Sequence, residues 1–172
     1  EGKLKNKLTE FNKLDLNDDG VFHIDAAFDQ LAVKVLEWIV FPLTLQEFTT
    51  KYFEKRALII KRGGALDYTN LLSLDRVKKL VRQKELRFNQ DLHVTKYIKA
   101  KKHIIGTPDD IVDSDLLWDF FNVQKCSIRM LRPHEHFKEL SKVMSLYEHV
   151  FSSGAGLNCY LTPKADKGVS QG

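Results

Sequence analysis

The sequence predicts an α+β fold, and three observations carry that prediction. Apolar residues recur at helical spacing through most of the N-terminal third. The pattern switches to period two in two short late segments, 127–131 and 157–162, and a long amphipathic stretch, 136–151, lies between them. At 172 residues the chain has room for one full domain, or for one domain with a small appendage, around a real core. Hydrophobic residues at 43% and charged residues at 29% are ordinary globular usage, which excludes a disordered or fibrous chain.

In chain order, Leu4, Leu8, Phe11 and Leu14 share one helical face. The turn cluster Asp15-Leu16-Asn17-Asp18-Asp19-Gly20 follows, and a second helix over 25–40 carries Phe28, Leu31, Val35 and Ile39, giving a helix–loop–helix. Thr44 caps a third helix, with Glu47 completing a capping box and an end expected near Arg56. Ala57-Leu58-Ile59-Ile60 reads as a buried strand closed by Arg62-Gly63-Gly64. A helix over 74–82 comes next, then one interrupted or two short strands over 86–98, a loop at 106–110 and an apolar helix around Leu116 to Phe121. A strand over 127–131 ends at Pro133, the helix over 136–151 follows with Phe137, Leu140, Met144 and Tyr147 on one face, and the last strand covers 157–162.

No apolar run approaches the roughly 18–20 residues of a spanning helix, since 35–45 is broken by Glu37 and Pro42, so no membrane partner is expected. Residues 1–7 are polar and no apolar segment with a cleavage site follows, so no secretory signal is expected either. Cys126 and Cys159 fall in apolar strand-like stretches and fit a reducing compartment as free thiols. The net charge of +4 includes clusters at Lys78–Lys79, Arg82–Lys84 and Lys99–Lys102, which either favour acidic partners such as nucleic acid or form a solvated face.

Asp15, Asn17, Asp19 and Gly20 occupy positions one, three, five and six of an EF-hand loop, but position twelve, where a bidentate carboxylate belongs, is Ala26. A polar turn between two helices is therefore the expected reading, with a weak calcium site as the alternative. His134-Glu135-His136 places its histidines two apart, which does not converge on one ion as an i, i+4 pair can, so helix-capping surface histidines are expected. No glycine-rich phosphate loop, serine nucleophile elbow or CxxC pair is present.

The two late strands are more informative. Alternation puts Asn158, Tyr160 and Thr162 on one face of the last strand, and Ser127 and Arg129 on a polar face opposite Cys126, Ile128 and Met130. From pattern alone these faces are either solvated or the lining of a polar cavity.

The stretch Gly154-Ala155-Gly156-Leu157-Asn158-Cys159-Tyr160-Leu161-Thr162-Pro163, followed by Ser170-Gln171-Gly172, resembles the entry to the catalytic core of JmjC-type ribosomal oxygenases. Glu37-Trp38 with Phe41-Pro42-Leu43, the run from Ala57 to Arg62, Leu86-Arg87-Phe88-Asn89-Gln90-Asp91 and Cys126-Ser127-Ile128-Arg129 resemble the same family in the same order. The likeness spans residues 36–172 and is strongest to the nucleolar branch of bifunctional lysine demethylases and histidyl-hydroxylases. Residues 1–35 stand outside it as an EF-hand-like appendage. Two departures are Leu157, where the family has a small residue, and a longer loop over 164–169.

The resemblance implies helices packed around the first strands of a double-stranded β-helix, the cupin or jelly-roll fold, in truncated form. It implies an Fe(II)- and 2-oxoglutarate-dependent hydroxylase of a histidine in a ribosomal protein, with histone lysine demethylation as a second reaction, in the nucleus and nucleolus, and a homodimer for the parent protein. Carried over, Arg129 and Tyr160 bind the substrate backbone and Asn158 orients the target imidazole. The iron triad of two histidines and one carboxylate, and the residue that pairs with 2-oxoglutarate, are expected beyond Gly172, so the chain contains no catalytic residue and does not turn over alone. A non-catalytic protein-binding module on a ribosomal or chromatin assembly is the alternative.

Overall fold

The computed structural model describes residues 26–62, 68–99 and 101–164. The helix expected over 3–14 and the EF-hand-like loop with Asp15, Asn17 and Asp19 lie outside them. The described residues divide into two compact units, one built from those between 26 and 71 with 138–155, the other from those between 72 and 137 with 156–164. No helix among the described residues is long and apolar enough to cross a membrane.

In the first unit, helix α1 (Ala26–Val40) packs with a long late helix over Lys138–Phe151. Residues spaced three or four apart make the contact: Ala32, Val35 and Trp38 with Phe41 and Leu146 form the buried cluster, flanked by Phe28, Leu31, Ile39, Val143 and Val150. The late helix therefore turns Val143, Leu146 and Val150 to this core, one step round from the expected Met144 and Tyr147. Tyr147 instead stacks on Phe151, which meets Phe53 at 4.8 Å.

Helix α2 (Leu45–Lys51) begins with the expected capping box. The Glu47 N–H donates to Thr44 Oγ1 at 3.1 Å, and the Thr44 N–H donates to Glu47 Oε2 at 3.2 Å. That backbone donation holds the Glu47 carboxyl below its usual range, with Lys51 adding to the effect. The helix ends at Lys51, before the expected Arg56: Tyr52 already departs from helical geometry at a φ of −122°, and Glu54, at a φ of 56°, bars any continuation toward Arg56. Thr44→Ala removes the acceptor of the Glu47 N–H and is expected to cost about 1 kcal/mol in a urea titration. An unchanged midpoint would show that water replaces the cap at no cost.

Residues 57–60 form no strand; Ile59 is 85% exposed. β-branched residues favour a strand only where a neighbour pairs with them, and no described segment does so here. The run leads instead to Arg62, whose guanidinium donates to the carbonyls of Ile39 and Phe41, while the Tyr68 hydroxyl donates to Trp38 O at 3.1 Å. Together they satisfy the orphan carbonyls at the end of α1.

The second unit holds helix α3 (Leu74–Gln83), strands β1 (Leu92–Ile98) and β2 (Lys101–Ile105), helix α4 (Ser114–Asn122) and strands β3 (Ser127–Leu131) and β4 (Asn158–Leu161). The late helix of the first unit becomes α5. The sheet is antiparallel with order β2-β1-β3-β4. Leu92 and Val94 of β1 and Ile128 and Met130 of β3 are buried on one face of the sheet, and Val77, Leu80 and Val81 of α3 and Leu117 of α4 are buried in the same unit. Each such side chain contributes on the order of 1.5–3 kcal/mol by leaving water.

The expected interrupted strand over 86–98 resolves into a turn followed by β1. Phe88 exchanges backbone hydrogen bonds with Asp109 and Asp110, and Asn89 turns the chain at a φ of 65°. Strand β2 carries no signal of its own in the sequence, because an edge strand exposed along most of its length has no apolar alternation to read. Helices, an antiparallel sheet and their segregation agree with the expected α+β class.

Candidate functional site

The outer face of the sheet brings the sequence-predicted residues together. Arg129 stands directly opposite His93 on β1 and Tyr160 on β4, so three side chains form one row across three strands. The Arg129 guanidinium carbon lies 5.6 Å from the Tyr160 ring centroid, within cation–π range. Asn158, two residues before Tyr160 and opposite Leu131, presents its amide on the same face. Ser127 faces Thr95 beside the row, whereas Thr162 falls past the end of β4.

The row joins a fixed cation to accessible polar groups. Tyr160 is 65% exposed and Asn158 is exposed, so both can reach a ligand. Arg129 is half-buried, and its Nε is buried with no hydrogen-bond partner among the described residues. A buried donor without an acceptor is costly, on the order of 1–3 kcal/mol, and an incoming carbonyl or carboxylate would remove that cost. Two N–H donors, an amide with both signs and a phenol suit a peptide backbone and a planar polar side chain.

His93 was not legible from the sequence as part of this row, since only the register with β3 places it there. Burial, then the charge of Arg129, then that of Lys102 hold its imidazole below the ordinary value of 6.5, so it is neutral at pH 7 and leaves Arg129 as the row's charge. A folded-state pKa depressed in this way means the row keeps its full stability above about pH 6.5 and loses some as pH falls through the His93 midpoint. An NMR titration is expected to place that midpoint below 6.5, and Arg129→Met to move it upward. No response to that substitution would mean the two groups do not sense each other.

Of the two histidines read from the sequence as surface caps, His136 is not at the surface. His136 closes a 3-10 turn over Pro133–Glu135, its side chain is only 12% exposed, and its Nε2 lies 3.6 Å from Asp91 Oδ1. Asp91 is fixed in turn by accepting the Arg87 N–H at 2.7 Å. Among the described residues no group of three or more His, Cys, Asp or Glu side chains could hold a metal ion, so these residues do not fit an iron centre and no iron-dependent step is assigned to them. Both cysteines are free, and burial raises the pKa of each thiol, which disfavours the reactive thiolate. A cavity of about 440 Å³ lined by Arg82, Lys84, Glu85, Asp113 and Ser114, among others, shares no residue with the sheet face.

No family profile matches the chain. Individual proteins do. The chain is 29% identical over 165 residues to a bifunctional lysine-specific demethylase and histidyl-hydroxylase of Dictyostelium discoideum, which covers 95% of this chain and 32% of that protein. A protein of the same description from Aedes aegypti is 30% identical over 133 residues, covering 77% of this chain and 21% of its own length. Ribosomal oxygenase 1 of Danio rerio is 30% identical over 139 residues, covering 81% of this chain and 25% of its own length. The chain thus spans about a third or less of the curated relatives it matches.

An α+β chain with this set of relatives is related to the JmjC-type oxygenases, an oxidoreductase family. Within that class its relatives are the histidyl-hydroxylase and ribosomal oxygenase proteins, as the motifs of the two late strands and their upstream blocks imply.

Proposed function

We propose that this chain supplies the substrate-gripping sheet of an Fe(II)- and 2-oxoglutarate-dependent oxygenase that hydroxylates a histidine in a ribosomal protein. The observation that carries the reading is the row on the outer face: Arg129 opposite Tyr160 with Asn158 beside them, and an unsatisfied Arg129 Nε at its centre. Arg129 and Tyr160 bind the peptide backbone and Asn158 orients the target imidazole. Hydroxylation needs one carbon held within ångströms of the oxidant, so positioning decides which carbon reacts. The names of the relatives support the histidyl-hydroxylase activity on a ribosomal target and a second, lysine-demethylating one, for which we propose a histone as substrate. We further propose a nucleolar location and a homodimer for the whole protein, on the sequence resemblance alone.

The test uses the full-length protein and a histidine-bearing ribosomal peptide, with hydroxylation followed by mass spectrometry and 2-oxoglutarate turnover followed separately. Asn158→Ala and Tyr160→Phe are each expected to reduce peptide hydroxylation about tenfold, the value of one lost hydrogen bond of about 1.4 kcal/mol. Uncoupled 2-oxoglutarate turnover is expected to persist. Equal loss of both activities would exclude a substrate-positioning role.

A further inference from the structure

The β1–β2 ribbon extends beyond the sheet. Strand β3 pairs with β1 only from Leu92 to Thr95, whereas β2 pairs with β1 out to Ile98 opposite Lys101. Residues 96–98 and 101–103 therefore form a two-stranded extension with no third strand beside it among the described residues. At its end Lys99 takes a left-handed φ of 51° to reverse the chain.

This ribbon is charged with one sign. Between Asp91 and Asp109 the sequence holds Lys96, Lys99, Lys101 and Lys102 with His93 and His103, and no acidic residue. None of the four lysines has a carboxylate partner among the described residues. Like charges crowded without counter-charge repel one another, a cost that an anionic partner relieves. Apolar groups are interleaved with them and left in water: Tyr97 is 69% exposed, Ile98 47% and Ile104 58%. Tyr97 pairs directly with Lys102, so a ring face and an ammonium group share one surface of the ribbon, while Ile98 and Lys101 share the other.

We propose that the β1–β2 ribbon is a binding arm for single-stranded RNA. Lysines along a protruding ribbon follow a phosphate backbone, and an exposed tyrosine between them offers a platform on which an unpaired base stacks. A duplex fits less well, because its bases are already stacked on one another and the deep groove of A-form RNA is too narrow for side chains to read. The attraction to a polyanion stands apart from the hydroxylase reading. Only the choice of RNA over DNA rests on the ribosomal setting of that reading.

The experiment measures fluorescence anisotropy of a labelled mixed-sequence single-stranded RNA of about 15 nucleotides with the full chain, across a salt series. Replacing Lys99, Lys101 and Lys102 together by alanine is expected to weaken binding at least tenfold and to flatten the slope of log affinity against log salt by about 2, roughly 0.7 per lost phosphate contact. Tyr97→Ala is expected to weaken single-strand binding roughly tenfold while barely changing binding to heparin. All these positions are exposed, and circular dichroism checks that the variants fold. The proposal is overturned if the triple variant binds RNA like the parent, or if Tyr97→Ala is silent and heparin competes as well as RNA. Tighter binding to single-stranded DNA, or to vesicles containing phosphatidylserine, overturns it as well. Asn158→Ala separates this arm from the peptide site: it is expected to leave RNA binding unchanged while it reduces peptide hydroxylation.

Discussion

Gly106→Ala is expected to destabilise the second unit by about 2–6 kcal/mol, through two additive causes. Gly106 has a φ of +97°, a conformation that L side chains rarely adopt, and a Cβ built there meets the Phe88 ring at 2.5 Å from Cδ1. The ring cannot swing away cheaply. Phe88 is buried, and its backbone is fixed on both sides by 3.0 Å hydrogen bonds, its N–H to Asp110 O and its carbonyl from the Asp109 N–H. Strain at the glycine costs about 1–3 kcal/mol, and forcing an extra methyl into a packed contact costs a similar amount. Because Gly106 follows β2 directly, the damage falls on the β1–β2 pairing and the 86–92 turn. Trp118, buried in α4 of the same unit, reports it by fluorescence in a urea titration. A loss below about 1 kcal/mol would mean that the loop over 106–110 refolds around the methyl and does not hold Phe88 in place.

Much of this architecture is legible in the sequence, and the parts that are not have identifiable physical causes. The capping box at Thr44 and Glu47 is a local device whose parts are three residues apart, so the sequence contains all of it. The spacing of Phe28, Leu31, Val35 and Ile39 likewise needs only helical geometry to predict an apolar stripe, whereas the buried Ala32 and Trp38 on that side are not read from it. Residues 57–60 were misread because strand formation depends on a partner elsewhere in the chain, and composition cannot report whether that partner exists. Strand β2 was missed for the converse reason: its lysines look like a solvated charge run, and pairing with β1 is what makes them a strand. The site divides in the same way. Period-two patterning placed Arg129 on one polar face and Asn158 with Tyr160 on another, but register alone sets Arg129 opposite Tyr160 and adds His93 to the row.

Arg129→Met is expected to separate binding from stability. The methionine keeps much of the aliphatic stem that packs against β1 and β4 and removes the guanidinium with its buried, unpaired Nε. If that nitrogen is held without an acceptor until substrate arrives, its loss removes a penalty of about 1–3 kcal/mol, so the variant should unfold at the same or a slightly higher urea concentration. Peptide affinity should move the other way. Hydrogen bonds from a charged donor contribute about 1.5–3 kcal/mol, so binding of the histidine peptide is expected to weaken by roughly 10- to 150-fold. Arg129→Lys should recover only part of that loss, because an ammonium group restores the charge and not the planar, paired donors. Opposed shifts in stability and affinity are what a residue strained for binding produces, and a residue kept for packing would lower stability and leave the peptide bound. Calorimetric peptide titration beside urea unfolding distinguishes the two, and a destabilised variant with unchanged affinity would remove Arg129 from the site.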